Sequence, residues 1–334
     1  MVKVDNVSKV YKVGALGGRR LEAVSRVSFE IPDGQVVSLI GESGSGKSTI
    51  GKMMLGITPI TSGTISIDGE DITELLHRDK REYYRRVQGV FQDPFSSYNP
   101  IFKADRVFRI IREEFYPNVK EAEWKAKVHD AVRAVGLNPA HVLNKYPHQL
   151  SGGQLQRFLI ARALLLDIKF LVADEIISML DASTRIDVLN LLAEVKKRGL
   201  SILFITHDLS LANYISERAI ILYRGRIAEY GLTEKIFGNP LHPYTRMLLE
   251  SVPRLDQEWK TEEISLETKP EIERHAGCVY YDRCPVSDVA IGCTAEEPPL
   301  VEVEPDHWVS CYHYTGSEAT ESGPEKLQTS GVGE

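Results

Sequence analysis

Apolar positions along this chain gather into short runs closed by glycine or acidic residues. Val36-Val37-Ser38-Leu39-Ile40 ends directly in glycine and reads as a buried strand entering a tight loop, with a helix over residues 48–55 behind it. Thr64-Ile65-Ser66-Ile67 alternates and closes on Asp68-Gly69, a strand and turn, and residues 87–91 form another short strand. From about residue 94 to 145 the period lengthens. Residues 107–115 and 121–135 carry apolar, Lys and Glu positions at helical spacing, which predicts an inserted helical subdomain. After residue 150 strands and helices alternate: strand 170–173, helix 183–198, strand 202–206, a hairpin over 219–230 turning at Arg224-Gly225, and a closing helix over 243–252. That βα alternation predicts an α/β core with a mainly parallel sheet. Past Pro253 the pattern weakens. Residues 315–334, rich in Ser, Gly, Thr and Glu, are expected to be disordered.

A length of 334 residues fits one large domain plus an extension, or two domains. The net charge of -7 argues against a nucleic-acid binder, which would carry a basic stripe. The best candidate for a membrane span, residues 163–179, is broken by Asp167, Lys169, Asp174 and Glu175. Met1-Val2-Lys3-Val4-Asp5 is not a signal peptide. The expectation is a cytoplasmic protein whose membrane contact goes through a partner. All four cysteines, Cys278, Cys284, Cys293 and Cys311, lie in the last sixth of the chain, so the main body needs no staples and fits a reducing compartment.

The chemistry begins at Gly41-Glu42-Ser43-Gly44-Ser45-Gly46-Lys47-Ser48, a full match to the phosphate-binding loop, followed by Thr49. Small residues let backbone N–H groups converge on phosphate oxygens, and the following helix adds its positive end. Lys47 supplies a cation for the β and γ phosphates, and the Ser48 hydroxyl is placed to hold Mg²⁺. Phe170-Leu171-Val172-Ala173-Asp174-Glu175 is an apolar strand ending in two acids. Asp174 would orient the Mg²⁺ and Glu175 polarise the attacking water, the positioning that phosphoryl transfer needs. His207 ends the next strand at the same sheet edge and is read as a γ-phosphate sensor. Gln92 opens the helical insert, placed to touch Mg²⁺ or the attacking water. Leu150-Ser151-Gly152-Gly153-Gln154 is a second small-residue element, about a hundred residues downstream of the first.

Together these motifs resemble the ATP-binding subunits of ABC transporters over residues 3–250, with Ser178-Met179-Leu180-Asp181 as a further match. The resemblance implies a P-loop ATPase of the ABC type: a mainly parallel sheet, an antiparallel β subdomain, a helical subdomain over 94–165 and a nucleotide-binding domain over 1–252. Residues 253–314 would form a cysteine-containing extension. Phe91-Gln92-Asp93-Pro94-Phe95-Ser96-Ser97-Tyr98-Asn99-Pro100 and His242-Pro243-Tyr244-Thr245 are similar to the oligopeptide/dipeptide importer branch, whose cargoes are peptides, nickel or oligosaccharides. The resemblance further implies a head-to-tail dimer. In it Lys47 of one subunit and Ser151, Gly152, Gly153 and Gln154 of the other enclose one ATP, Asp181 links the two sites, and Tyr11 stacks on adenine. The implied partners are a second ATPase subunit, favoured as a paralogue, two membrane-spanning permease subunits that receive the helical insert, and an extracytoplasmic solute-binding protein. The implied location is the cytoplasmic face of the membrane. One departure stands out: Ile176 occupies the place where the family has proline after the catalytic glutamate, so a less rigid turn is expected.

The cysteine spacing, Cys278-x5-Cys284-Pro285 with Cys293 and Cys311 beyond, fits the usual zinc pattern poorly. Four thiolates suit an iron–sulfur cluster, and the resemblance implies a 4Fe-4S group there; zinc and unliganded thiols stay open. A non-transport relative acting on DNA or ribosomes is the alternative function, disfavoured by the charge and by the lack of a second cassette or a coiled-coil insert. A nucleotide-gated module without turnover is disfavoured by Glu175 and His207.

Overall fold

The computed structural model describes residues 1–14, 18–166, 168–251 and 276–315. The expected tail beyond Thr315, residues 253–275, Asp167 and part of the loop after Tyr11 lie outside the described residues.

In chain order the elements are β1 (Val2–Val13), β2 (Arg19–Ile31), β3 (Val36–Ile40), α1 (Lys47–Met54), β4 (Ser62–Ile67), β5 (Glu70–Asp71), α2 (Ile72–Arg78), α3 (Lys80–Arg86) and β6 (Val87–Val90). The helical block holds α4 (Arg106–Phe115), α5 (Glu121–Ala134), α6 (Pro139–Val142) and α7 (Gly152–Leu164). Then come β7 (Phe170–Asp174), α8 (Ala182–Lys196), β8 (Ser201–Thr206), α9 (Leu209–Ile215), β9 (Arg218–Tyr223), β10 (Arg226–Leu232), α10 (Thr233–Gly238) and α11 (Pro243–Glu250). The extension contributes β11 (Val301–Glu304) and β12 (His307–Val309).

Two sheets organise these elements. One is antiparallel, in the order β2-β1-β4-β5; the other runs β11-β12-β10-β9-β3-β8-β7-β6. In the larger sheet β9, β3, β8, β7 and β6 are mutually parallel. Every residue of β3, β7 and β8 is buried, because a parallel strand covered on both faces needs an unbroken apolar run. One core fills the space between the sheets around α1, joining Val4, Phe29, Ile50, Met53 and Leu203. A second joins the helical block to the sheet through Phe108, Trp124, Phe158, Leu171 and Leu189.

The extension is continuous with the cassette. β12 pairs antiparallel with β10, Tyr230 opposite Trp308, so the expected boundary near residue 253 does not divide the sheet. A buried polar group fastens this junction: His307 Nε2 lies 2.7 Å from Glu229 Oε1, and Glu229 also accepts the N–H groups of Leu241 and His242. Burial lowers the His307 pKa, but its contacts with Glu229 and Glu304 outweigh this and raise it.

Candidate functional site

Parallel pairing carries β3, β6, β7 and β8 to one sheet edge, where their C-terminal ends deliver Gly41, Gln92, Asp174 and His207 together. Gly46 caps α1 with φ 107°, a left-handed backbone, and an added Cβ would lie 2.5 Å from the Ala23 carbonyl. Here the turn itself demands glycine. Lys47 is 5 % exposed and folds back over its own loop, donating to the carbonyls of Gly41 at 2.7 Å and Glu42 at 2.9 Å. Burial pulls its pKa below the ordinary lysine value, while Glu175, Asp174 and Glu42 pull the other way.

Ser48 Oγ donates to Asp174 Oδ1 at 3.2 Å. Burial raises the Asp174 pKa, the Ser48 bond lowers it, and the neighbouring Glu175 raises it again. A buried carboxylate beside a hydroxyl is a hard-oxygen donor pair. It fits Mg²⁺, which takes one or two carboxylates and completes its shell with phosphates and water. Gln92 is exposed just past Phe91, whose carbonyl accepts from Gln156 on α7 at 3.4 Å.

Glu175 sits beyond β7 with φ 50°, a left-handed conformation that costs a non-glycine residue energy. Its N–H donates to Ile205, and its carbonyl accepts from both the N–H and the hydroxyl of Ser178. His207 Nδ1 lies 3.3 Å from Glu175 Oε1. Ile176, standing in place of the proline, is 1 % exposed and packs in the core with Ile177 and Leu180. Packing and the Ser178 bonds brace the turn where a proline ring would have stiffened it.

The second glycine-rich element starts α7. Ser151 Oγ accepts from the Gln154 N–H at 3.2 Å, and Gln154 Oε1 accepts from the Ser151 N–H at 2.9 Å, a capping box. Both side chains are therefore engaged in the cap. An added Cβ on Gly153 would meet Thr184 at 2.6 Å, but one on Gly152 meets nothing closer than 3.9 Å. Among the described residues no hydrogen bond joins residues 151–154 to the phosphate loop. Asp181 caps α8: hydrogen bonds from Ser183, then from Thr184, hold its pKa well below the usual carboxylate range. Tyr11 lies half-exposed on β1, with Lys9 Nζ 5.0 Å from its ring centroid.

The four cysteines do not form a ready metal site. Among the described residues no group of three or more His, Cys, Asp or Glu side chains stands at metal-holding distances. The thiols are close enough to influence one another, yet burial raises the pKa of Cys278 and Cys284 and pushes Cys311 up to about 12. In this arrangement the thiols belong to the packing of the extension, and the 4Fe-4S expectation finds no support among the described residues.

Two residues at the phosphate loop escaped the sequence reading. Tyr244, fully buried on α11, accepts the Glu42 N–H at 3.0 Å, and Arg283 of the extension pairs with the Glu42 carboxylate. Tyr244 lies in the His242-Pro243-Tyr244-Thr245 string, which pointed to a subfamily but to no contact. Arg283 is 241 residues from Glu42, beyond the reach of any local pattern.

The ABC transporter family model matches residues 24–178, and a model described as the oligopeptide/dipeptide transporter C-terminal region matches residues 228–290. A protein of Brucella ovis named as a peptide import ATP-binding protein is 42% identical over 318 residues, covering 93% of this chain and 97% of that protein. A Bacillus subtilis protein named as an oligopeptide transport ATP-binding protein is 39% identical, covering 91% and 93%. Among solved structures, a dimeric ATP-binding cassette in a post-hydrolysis state with ADP and Pi matches with a TM-score of 0.63 and 29% identity, over 70% of this chain and 99% of that one.

Proposed function

This chain belongs to the ATP-binding subunits of ABC transporters, in the oligopeptide/dipeptide importer branch, and from that premise we propose how its residues work. The protein is an ATPase that energises peptide import, acting as a dimer with membrane permease partners. Nothing in the fold or the relatives favours work on DNA or ribosomes.

In our reading the amides of residues 41–49 and Lys47 take the phosphates, with Lys47 turning from the Gly41 and Glu42 carbonyls to the incoming oxygens. Ser48, Asp174 and Gln92 would hold Mg²⁺, which when bound neutralises charge on the β and γ phosphates. Glu175 takes the proton of the attacking water. His207, already beside Glu175, steadies that carboxylate and reads the γ-phosphate. Tyr11 stacks on the adenine. Ser151, Gly152, Gly153 and Gln154 face the nucleotide held by the other subunit. What supports that last assignment is Gly152, where no described residue would stand closer than 3.9 Å to an added Cβ. Asp181 fixes the start of α8 at the same interface.

The observation carrying the reading is the 3.3 Å approach of Glu175 to His207 beside the Lys47, Ser48 and Asp174 cluster. Glu175→Gln should lower ATP turnover by about 10²–10⁴-fold, the range for loss of a general base, while nucleotide binding persists. Turnover at the wild-type rate would refute the assignment.

The other subunit is proposed to be a paralogue, with an extracytoplasmic solute-binding protein supplying peptides or oligosaccharides and the pair seated on the cytoplasmic face. Exposed Phe95, Ile101, Phe102 and Ile110 leave apolar side chains on residues 95–110 that a permease segment could cover. Crosslinking from residues 95–102 should capture a membrane subunit. A cluster on the cysteines is supported by donor type alone, and forming it requires the thiols to rearrange. Iron and sulfide assays on anaerobically purified protein decide it, and an iron-free folded preparation ends that reading.

A further inference from the structure

Glu42, the second residue of the phosphate loop, is held from three directions. Its carbonyl accepts from Lys47 Nζ at 2.9 Å, and its N–H donates to the Tyr244 hydroxyl at 3.0 Å. Its carboxylate receives a fork from Arg283: Nη1 donates to Oε2 at 2.9 Å and Nη2 to Oε1 at 3.1 Å. The fork is itself supported. The Arg283 guanidinium carbon lies 5.8 Å from the ring centroids of both Tyr223 and Tyr280. Tyr223 packs on Tyr244 at 4.6 Å and edge-on to Tyr280 at 5.1 Å. Behind the loop, the Leu222 carbonyl lies against Gly41 so closely that a Cβ there would stand 2.2 Å away. The entrance of the loop is thus pinned between β9, α11 and the extension.

We propose that Arg283 is a positioning residue for ATP: by orienting Glu42 it sets the entrance of the loop whose amides meet the phosphates, making the C-terminal extension a wall of the nucleotide site. The proposal rests on residues 41–48 being the ATP site. Arg283 and Tyr280 both lie in the short span between Cys278 and Cys284, so the chain that carries the thiols also carries the clamp. The side chains of Arg283 and Glu42 are 44% and 39% exposed, so solvent screens their attraction and the main effect is geometric. A bidentate fork fixes the orientation of a carboxylate, which a point charge does not.

The test uses the full-length chain for binding, by displacement of a fluorescent trinitrophenyl-ATP with Mg-ATP, and the assembled transporter for turnover. Arg283→Ala should weaken ATP affinity and raise KM about threefold to tenfold with kcat within about twofold, the signature of lost uniform binding. Arg283→Lys should recover only part of the loss. Glu42→Gln, which leaves the extension untouched, should reproduce the Arg283→Ala effect, and the double variant should be no worse than either single one because the two act as one contact. The proposal is overturned if either single variant keeps wild-type affinity and KM, or if their effects add. Failure of the underlying reading looks different: the wild-type chain would bind no nucleotide, or Lys47→Ala would bind it unchanged.

Discussion

Residues 41–48 and residues 150–154 are both glycine-rich strings ahead of a helix, and the fold uses them in opposite ways. The first is closed on itself. Lys47 is buried, its ammonium satisfied by two loop carbonyls, with Ser48 against Asp174 and Glu175 close by. Its Gly46 is required by the local turn. The second is open. Its polar side chains are engaged in a capping box, and an added Cβ on Gly152 would meet only Phe95 at 3.9 Å and Leu180 at 4.0 Å. In the proposed reading one string binds the nucleotide that its own chain cuts, and the other offers a backbone to a nucleotide held by another subunit. Small residues thus answer different needs: a strained turn at Gly46, packing against Thr184 at Gly153, and, in the proposed reading, approach by a ligand from outside the chain at Gly152.

The largest effect should come from the closed side. Lys47→Ala removes the buried cation that meets the phosphates and should weaken ATP binding to this chain by about 100-fold, given ~2–3 kcal/mol for charge-assisted bonds. A loss under threefold, measured by nucleotide displacement, would break the comparison. A smaller effect concerns the acid opposite. Burial raises the Asp174 pKa, so the ionised form is unfavourable in the folded chain. The sign follows from linkage: stability is greater below the unfolded pKa and declines as pH rises through the raised folded value. Asp174→Asn should therefore stabilise the nucleotide-free protein by about 1 kcal/mol while abolishing Mg-dependent hydrolysis, a trade of function for stability. A lower melting temperature would contradict this. The smallest effect belongs to the open side: Ser151→Ala should cost about 1 kcal/mol or less through the lost cap. Calorimetry can set it beside Gly152→Asp, which should leave stability unchanged.

The same contrast explains how much of the molecule could be read in advance. β3, β7 and β8 announced themselves as short, largely apolar runs because every position in them is buried, while β6 at the sheet edge also carries the half-buried Gln88. The helices of the insert showed their period, and Lys47, Asp174, Glu175 and His207 were legible because each follows a strand at the ligand-binding edge. What stayed hidden was long-range. That β12 would pair with β10, or that Arg283 would reach Glu42, depends on contacts across most of the chain. The resemblance implied a cluster on the four cysteines, but among the described residues no group of three or more such side chains stands at metal-holding distance. Ile176 showed in the sequence only as a departure from the family's proline; that it is buried in the core came from the fold.

The central claim, that residues 151–154 serve a nucleotide bound by another subunit, is tested most directly by Gly152→Asp in the assembled transporter. Photolabelling with azido-ATP would report binding at this chain's own phosphate loop alongside turnover of the complex. The account predicts that labelling of this subunit stays at the wild-type level while turnover falls by at least about tenfold, because a carboxylate now faces the partner's γ-phosphate. Labelling that falls as far as in Lys47→Ala would mean that the two strings serve one site within one chain, and would contradict it.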